Sequence, residues 1–492
     1  MHKILKCCFS FMLIFGLTVV PAWAKDNEAK GEQTIIVEGF DWGAGVTKTI
    51  IQLDKKVDGV SKEKFIVTEK RDSAEDLNVP VKDAYTCDEA GNKISEASTY
   101  IALELSVDPG YMSFTGGKSR PAMGNPFLSN VWDESYQLAI QLAENCQLGD
   151  ISELKIEPHY AHKIAPRADL FGKNDYVDEK TGLTMNYLSY DPHQDATINN
   201  QVEDGKRPLI IWLHGGGEGG TELDAVSLGN HVTNLIGPDI QKIMGGAYVF
   251  APQCSTYWLD DGTGEHPFTV DGTSRYSETL DRLLEKYLTE HENEIDINRI
   301  YIGGCSNGGY MTIRMVLDHP GKFAAQFPIC APYYFNWLTD EDKEILAKTP
   351  TWLIHAKNDP VVLPDGSVSD MVFPGDDNPG RNNPDRETYM LADYLQTNTQ
   401  SSFHFTNPDA IVDQNGYLDT EGNPLTYIAH FAWVPALRNE VSENNETLFA
   451  WMAAQKLVSE TDNSSTYTAI AVIGAALVIA GGFVRVKKKK KA

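Results

Sequence analysis

The chain has 492 residues, with 42 basic against 69 acidic side chains and a formal net charge of −27. A sequence pI near 4.8 excludes a nucleic-acid binder and a body that clings to anionic lipid, since both need basic surface. The length exceeds one ordinary core and is read as at least two domains.

At the N-terminus, Lys3 and Lys6 precede an apolar stretch from Cys7 to Val20, then Ala22-Trp23-Ala24 before Lys25. That charged, apolar and small-residue order predicts a signal peptide over 1–24 and export of the rest. Cys7 and Cys8 leave with it. The remaining cysteines, Cys87, Cys146, Cys254, Cys305 and Cys330, form no C-x-x-C pair, which argues against a disulfide framework or a zinc site. A single Cys87–Cys146 bridge is weighed against two free thiols.

Across 33–165, short runs such as Thr47 to Leu53, Lys64 to Thr68, and Ile101, Leu103, Leu105 and Val107 alternate apolar with polar residues between turns. Period two predicts an all-β sandwich. No catalytic constellation falls within it. Turn residues from Phe171 to Asp175 and from Glu179 to Gly182, then a strand over Leu183 to Tyr190, open a second domain spanning 170–458.

In that domain apolar runs at Leu209–Leu213, Ala247–Ala251, Ile300–Gly303, Phe327–Cys330 and Trp352–Ile354 alternate with helical stretches such as Ser277–His291 and Glu443–Lys456. The pattern predicts a doubly wound α/β parallel sheet, with functional groups at the strand C-terminal ends. The run at Ile300 ends in Gly304-Cys305-Ser306-Asn307-Gly308, followed by a helix over Tyr310–His319 halted by Pro320. G-x-S-x-G between strand and helix is the context of a nucleophile elbow, in which Ser306 occupies a strained turn.

A serine hydroxyl needs a histidine to take its proton and an acid to orient that histidine; in this arrangement the chain order is nucleophile, acid, histidine. Asp359 follows the strand Trp352–Ile354 by a short loop and is the preferred acid over Asp370, Asp376 and Asp377. Of twelve histidines, His404 and His430 lie beyond it. His430, in a loop ahead of the last helix, is preferred; His404, between Phe403 and Phe405, reads as a strand residue, and His214 and His355 as structural hydrogen bonders. The glycine-rich turn His214 to Gly220 frees backbone N–H groups, so Gly216, with Gly215 and Gly217 close behind, and the N–H of Asn307 are the candidate oxyanion donors. No G-K-[ST] follows that turn, which argues against a nucleotide site. No cofactor and no metal are called for. Cys305 is read as a packed neighbour of the nucleophile. Trp258 is a candidate for the substrate pocket, with a core tryptophan as the alternative.

Beyond a linker at 459–467, the run Thr468 to Val484 is uncharged and is followed by Arg485 and five lysines from Lys487 to Lys491. It is long enough for a transmembrane helix, predicted at 468–486, with 487–492 as a cytoplasmic tail. The catalytic domain is then expected outside the cell, held to the membrane by this helix.

The blocks H-G-G-G-E-G-G at 214–220, G-C-S-N-G-G at 304–309, H-A-K-N-D-P-V-V at 355–362 and A-H-F-A-W at 429–433 resemble secreted α/β-hydrolase esterases of the prolyl oligopeptidase and polyhydroxybutyrate-depolymerase groups. The layout is similar to the EstA-type esterases, which carry an immunoglobulin-like domain ahead of the hydrolase domain. The resemblance implies carboxylic-ester hydrolysis, with Ser306 as nucleophile, His430 as base then acid, Asp359 as orienter, and Asn307 with the Gly216 region holding the oxyanion. The rivals are a prolyl oligopeptidase-like serine peptidase, for which about 130 β-rich residues are too few to form a propeller of at least four blades, and a non-catalytic surface binding protein.

Overall fold

The computed structural model describes residues 27–72, 74–107, 132–264, 269, 271–364, 388–419 and 421–457. The predicted signal peptide, linker, anchor and lysine tail lie outside the described residues, among which no helix is long and apolar enough to cross a membrane.

The front half is the predicted sandwich. Strands β1 (Glu28–Phe40), β2 (Gly43–Val57), β5 (Val81–Cys87), β6 (Ser98–Leu105), β8 (Glu153–Ile156) and β9 (His162–Ile164) form one sheet, in the order β5-β6-β2-β1-β8 with β9 also on β1. Strands β3 (Phe65–Arg71), β4 (Ala74–Val79) and β7 (Gln137–Leu142) form the other, in the order β4-β3-β7. Alternate residues such as Ile35, Val37, Ile51, Leu53, Val67, Leu103 and Ile140 meet between the sheets. Cys87 is a free buried thiol and Cys146 is also free, so the bridge between them is not formed.

The back half is built on an eight-stranded sheet. Its order is β10 (Gly172–Asn174), β11 (Met185–Tyr190), β13 (Tyr248–Cys254), β12 (Arg207–Leu213), β14 (Ile295–Cys305), β15 (Ala325–Ile329), β16 (Thr351–Ile354) and β17 (Phe403–Thr406). From β13 to β17 all neighbours are parallel, whereas β10 and β11 make an antiparallel edge. Parallel strands are covered on both faces, which is why β12, β13, β15 and β16 are buried throughout. Ile210 and Trp212 face helices α1 (Leu223–Leu228), α2 (Pro238–Met244), α7 (Trp433–Leu437) and α8 (Leu448–Ala454). Leu209, Ile211 and Leu213 face α3 (Ser277–Glu290), α4 (Asn307–Asp318), α5 (Asp340–Lys348) and α6 (Thr388–Asn398). In α3, Leu280, Leu283, Leu284 and Tyr287 recur at helical spacing and all face inward.

One predicted helix is shorter than its pattern suggested. Within Glu443–Lys456 the helix begins only at Leu448, because Ser442–Glu443 (β20) and Glu446–Thr447 (β21) pair as a hairpin. Asn444 and Asn445 both adopt positive φ, as the tight turn of such a hairpin requires. A second pair of short strands, β18 (Ile411–Val412) and β19 (Thr426–Tyr427), lies on the excursion that leads to His430.

Candidate active site

The chain reverses its direction of winding between β12 and β14: it steps from β12 to β13 on one side, then returns to β14 on the other. In open α/β sheets the crevice at such a switch point, beyond the strand C-terminal ends, is where ligands sit. The loop after β12 and the turn after β14 flank that crevice here.

Ser306 is that turn. It sits between β14 and α4 with φ 53° and ψ −118°, a left-handed conformation that costs a side-chain-bearing residue about 1–3 kcal/mol. Its N–H donates to the Ile329 carbonyl at 2.9 Å and its carbonyl accepts the Tyr310 N–H at 3.0 Å, which clamps the turn from both sides. Two glycines permit the approach. A Cβ on Gly304 would lie 2.4 Å from the Leu213 carbonyl oxygen, and one on Gly308 would lie 2.0 Å from the same atom. From Tyr301 to Tyr310 every residue is buried except Ser306, which is half-buried. The first N–H groups of α4, beginning with that of Asn307, have no partner within the helix and lie at its positive end, beside the serine.

Asp359 and His430 are brought together. Asp359 is fully buried just past β16, and its Oδ2 lies 2.8 Å from Nδ1 of His430. Its Oδ1 accepts the N–H groups of Val361 at 2.8 Å and Val362 at 2.9 Å. Burial alone would raise the pKa of this carboxyl; the charge of His430 and hydrogen bonds from His355 and His430 outweigh it and hold Asp359 well below the usual range. The acid therefore remains a carboxylate, able to keep the imidazole proton on Nδ1 and leave Nε2 free as a base. Trp433 packs edge-on against the His430 ring at 5.4 Å.

The other histidines have different employment. His404 sits on β17, stacked on Trp352 at 4.4 Å and paired with Glu443 at 2.6 Å, away from Asp359. His214 is enclosed, with Nδ1 at 2.7 Å from the Gly215 carbonyl and Nε2 accepting the Cys254 N–H at 3.2 Å; burial lowers its pKa to about 4. His355, read from sequence as a structural hydrogen bonder, touches the acid itself. Its Nε2 lies 3.1 Å from Asp359 Oδ2 and 2.8 Å from the Val362 carbonyl, and its Nδ1 lies 2.8 Å from the Thr388 hydroxyl. Both Nε2 partners are acceptors, so the network assigns the proton to Nε2. The signal was available: His355 precedes Asp359 by four residues in one short loop.

Gly216 opens a short 3₁₀ turn, Gly216–Glu218, after β12 and is half-buried at the crevice. Asn307 is buried, with its side-chain oxygen accepting the Leu259 N–H at 3.1 Å. Trp258 is a correction: it is 0% exposed, donates to the His214 carbonyl at 3.2 Å and packs edge-on against Tyr276, so it belongs to the core and not to a pocket wall. Cys305 is fully enclosed and burial pushes its thiol well above the ordinary value, which removes it as a nucleophile. Cys330 Sγ, Asp359 and His430 hold potential ligand atoms within 4.8 Å of one another. Burial keeps that thiol protonated, and it donates to the His430 carbonyl at 3.3 Å, while the imidazole bonds directly to the carboxylate. The cluster is hydrogen-bonded and does not have the free donor set of a chelate.

With a strained serine at a helix N-terminus and a buried carboxylate–imidazole pair on the same side of a doubly wound sheet, the protein is a serine hydrolase of the α/β-hydrolase fold. Residues 32–142 match the family model of the esterase Ig-like N-terminal domain, and residues 194–365 match that of the phospholipase/carboxylesterase family. The chain thus joins the two domains of an EstA-type esterase. A thermostable esterase of known structure is similar at a TM-score of 0.61 and 23% identity, over 86% of this chain and 99% of that one. An S-formylglutathione hydrolase from Agrobacterium tumefaciens gives 0.35 at 14% identity over 58% and 95% of the two chains. A poly(3-hydroxybutyrate) depolymerase from Bordetella parapertussis gives 0.32 at 17% identity over 49% and 86%. No curated protein sequence matches the chain.

Proposed function

We propose that the protein hydrolyses short-chain or aryl carboxylic esters through an acyl-enzyme on Ser306. His430 takes the serine proton as Oγ attacks the ester carbonyl, then gives it to the departing alcohol or phenol. Asp359 holds the imidazole in the required tautomer and stabilises its charge. The N–H groups of Gly216 and Asn307 receive the oxyanion. Water, deprotonated by His430, then releases the acid and restores the serine.

The observation that carries the reading is the 2.8 Å contact between His430 and a carboxylate kept ionised inside the fold. A peptidase of the prolyl oligopeptidase type would share these groups, but the front domain is a two-sheet sandwich and not a propeller. The test is hydrolysis of p-nitrophenyl acetate and butyrate by the wild type and by Ser306→Ala. Loss of turnover in the variant is expected; equal rates in the two proteins would sink the assignment. Proline-containing peptides in the same assay separate esterase from peptidase.

Export and anchoring belong to the same proposal. The sequence features at 1–24 and 468–492 support an enzyme displayed outside the cell on a C-terminal helix. Fractionation of the expressing cells checks it, with recovery of activity in the membrane fraction, open to protease added from outside, as the expected result.

A further inference from the structure

The first hairpin of the front sandwich reaches into the hydrolase domain. Between β1 and β2 its turn carries Asp41 and Trp42, and both are buried. Trp42 packs edge-on against Tyr417 at 4.8 Å and belongs to the hydrolase core, not to that of the sandwich. Asp41 meets three groups of the second domain. Its Oδ2 accepts the Tyr427 hydroxyl at 3.0 Å and a guanidinium N–H of Arg438, and its Oδ1 lies 3.2 Å from Nδ1 of His231.

Tyr427 and Arg438 bracket His430. Tyr427 is in β19, three residues ahead of the histidine, and Arg438 caps the C-terminus of α7, eight residues beyond it. Asp413 completes the knot: its Oδ1 accepts Arg438 at 2.7 Å and Tyr427 at 3.1 Å. Arg438 therefore bridges a carboxylate from each domain, in a site where its side chain is 8% exposed. Burial works to lower the pKa of Arg438, but Asp41 and Asp413 together overcome it and raise it, so the guanidinium remains charged.

We infer that Asp41 is a positioning residue for His430, set from the neighbouring domain. It grips both ends of the segment carrying the histidine and so sets where the imidazole stands. The inference rests on the functional reading above, in which His430 is the base. Asp359 holds one ring nitrogen and the Cys330 thiol holds the His430 carbonyl; the two ends of the segment between which they act are located by the knot. Displacements of about 1 Å in such groups cost about a hundredfold in rate.

The test uses the full chain and p-nitrophenyl butyrate. Asp41→Asn is expected to lower kcat at least tenfold with KM within twofold, because substrate binding does not pass through the knot. Tyr427→Phe removes a single hydroxyl, leaves the fold's packing intact, and is expected to lower kcat severalfold with KM unchanged. Since Asp41 acts through Arg438, the double variant Asp41→Asn/Arg438→Gln should be no slower than the slower single variant. Full kcat in both Asp41→Asn and Tyr427→Phe, or losses that multiply in the double variant, would overturn the inference. If Ser306→Ala is inactive while Asp41→Asn keeps full kcat, the esterase reading stands and the positioning role alone falls. If Ser306→Ala is as active as the wild type, it is the esterase reading that fails.

Discussion

Gly216 offers a way to delete one backbone N–H without moving the atoms around it. The residue before it, Gly215, has φ −73° and ψ −177°, the extended conformation that a residue preceding proline prefers. Gly216 itself is the first residue of the turn Gly216–Glu218, where proline is tolerated because its missing N–H is one the turn does not use. Gly216→Pro therefore removes the N–H proposed as an oxyanion donor and little else. Loss of one such donor costs about 10²–10³ in kcat, or about 2.7–4 kcal/mol of transition-state stabilisation. Gly216→Ala is the control: its added carbon would sit 3.5 and 3.7 Å from the Tyr257 ring, ordinary van der Waals contact, and it keeps the N–H. Steady-state kcat and KM for p-nitrophenyl butyrate, with thermal melts of all three proteins, separate lost chemistry from lost fold. The expected pattern is a proline variant that melts with the wild type and turns over at least about a hundredfold slower, beside an alanine variant within about threefold of the wild type. A proline variant as active as the alanine control would refute Gly216 as a donor and move the role to Gly215 or Gly217.

Other expectations follow from the same geometry. Gly308→Ala places a carbon 2.0 Å from the Leu213 carbonyl oxygen and must push α4 from β12 by about 1 Å, so kcat should fall about a hundredfold and the melting temperature should drop as well. His355→Phe strips one hydrogen bond from Asp359 and leaves the Val362 carbonyl and Thr388 hydroxyl unpaired inside the fold; about 1–3 kcal/mol of stability and part of kcat should go, read by denaturant melts and steady-state kinetics. Glu69, buried in the sandwich beside Arg71 and Tyr136, has its pKa raised from 4.5 to about 7, chiefly by burial. Between those values the folded chain holds a proton that the unfolded chain releases, so the group's contribution to stability falls as pH rises. Glu69→Gln, which cannot ionise, should therefore gain on the wild type by up to about 3 kcal/mol between pH 5 and pH 8. A difference that does not change with pH would contradict this assignment.

Chain order and strand boundaries carried much of the sequence reading. Asp359 follows an all-buried strand, and His430 lies beyond it in a loop, so their contact could be anticipated without any distance. The two-sheet front domain was legible from period-two runs such as Thr47 to Leu53, where Ile51 and Leu53 pack between the sheets, although Ile50 is also buried, in a separate small cluster with Tyr85 and Ala102. Three things were not legible, for different physical reasons. The hairpin at Asn444 and Asn445 is a local backbone choice in the polar front of the run, Glu443 to Thr447, which leads into the apolar α8 with no glycine or proline to mark the boundary. Trp258 follows a sheet strand, and spacing alone does not separate a tryptophan that seals the core from one that lines a cleft. The Asp41 knot joins residues up to 397 positions apart, across two domains, and nothing local marks a carboxylate for a guanidinium so distant.

The support of each group explains why that knot is needed. The turn carrying Ser306, the loop carrying Gly216 and the loop carrying Asp359 leave the parallel strands β14, β12 and β16 of one buried sheet, and Gly304 and Gly308 bring the serine turn into backbone contact with the end of β12. Their relative positions are set by the sheet. His430 comes instead from an excursion of two-residue strands, β18 and β19, which pair only with each other. Such short strands hold little rigidity of their own, so the histidine depends on what the excursion packs against. Trp42 and Phe40, stacked at 5.2 Å, fill that side of the hydrolase core, and Asp41 between them ties Tyr427 and Arg438. A chain lacking the sandwich would lose this brace and leave Arg438 with fewer partners in a pocket opened to water. The front domain is therefore expected to act on kcat even though no residue of it is assigned to the chemistry, and deleting it should cost turnover before it costs the α/β fold.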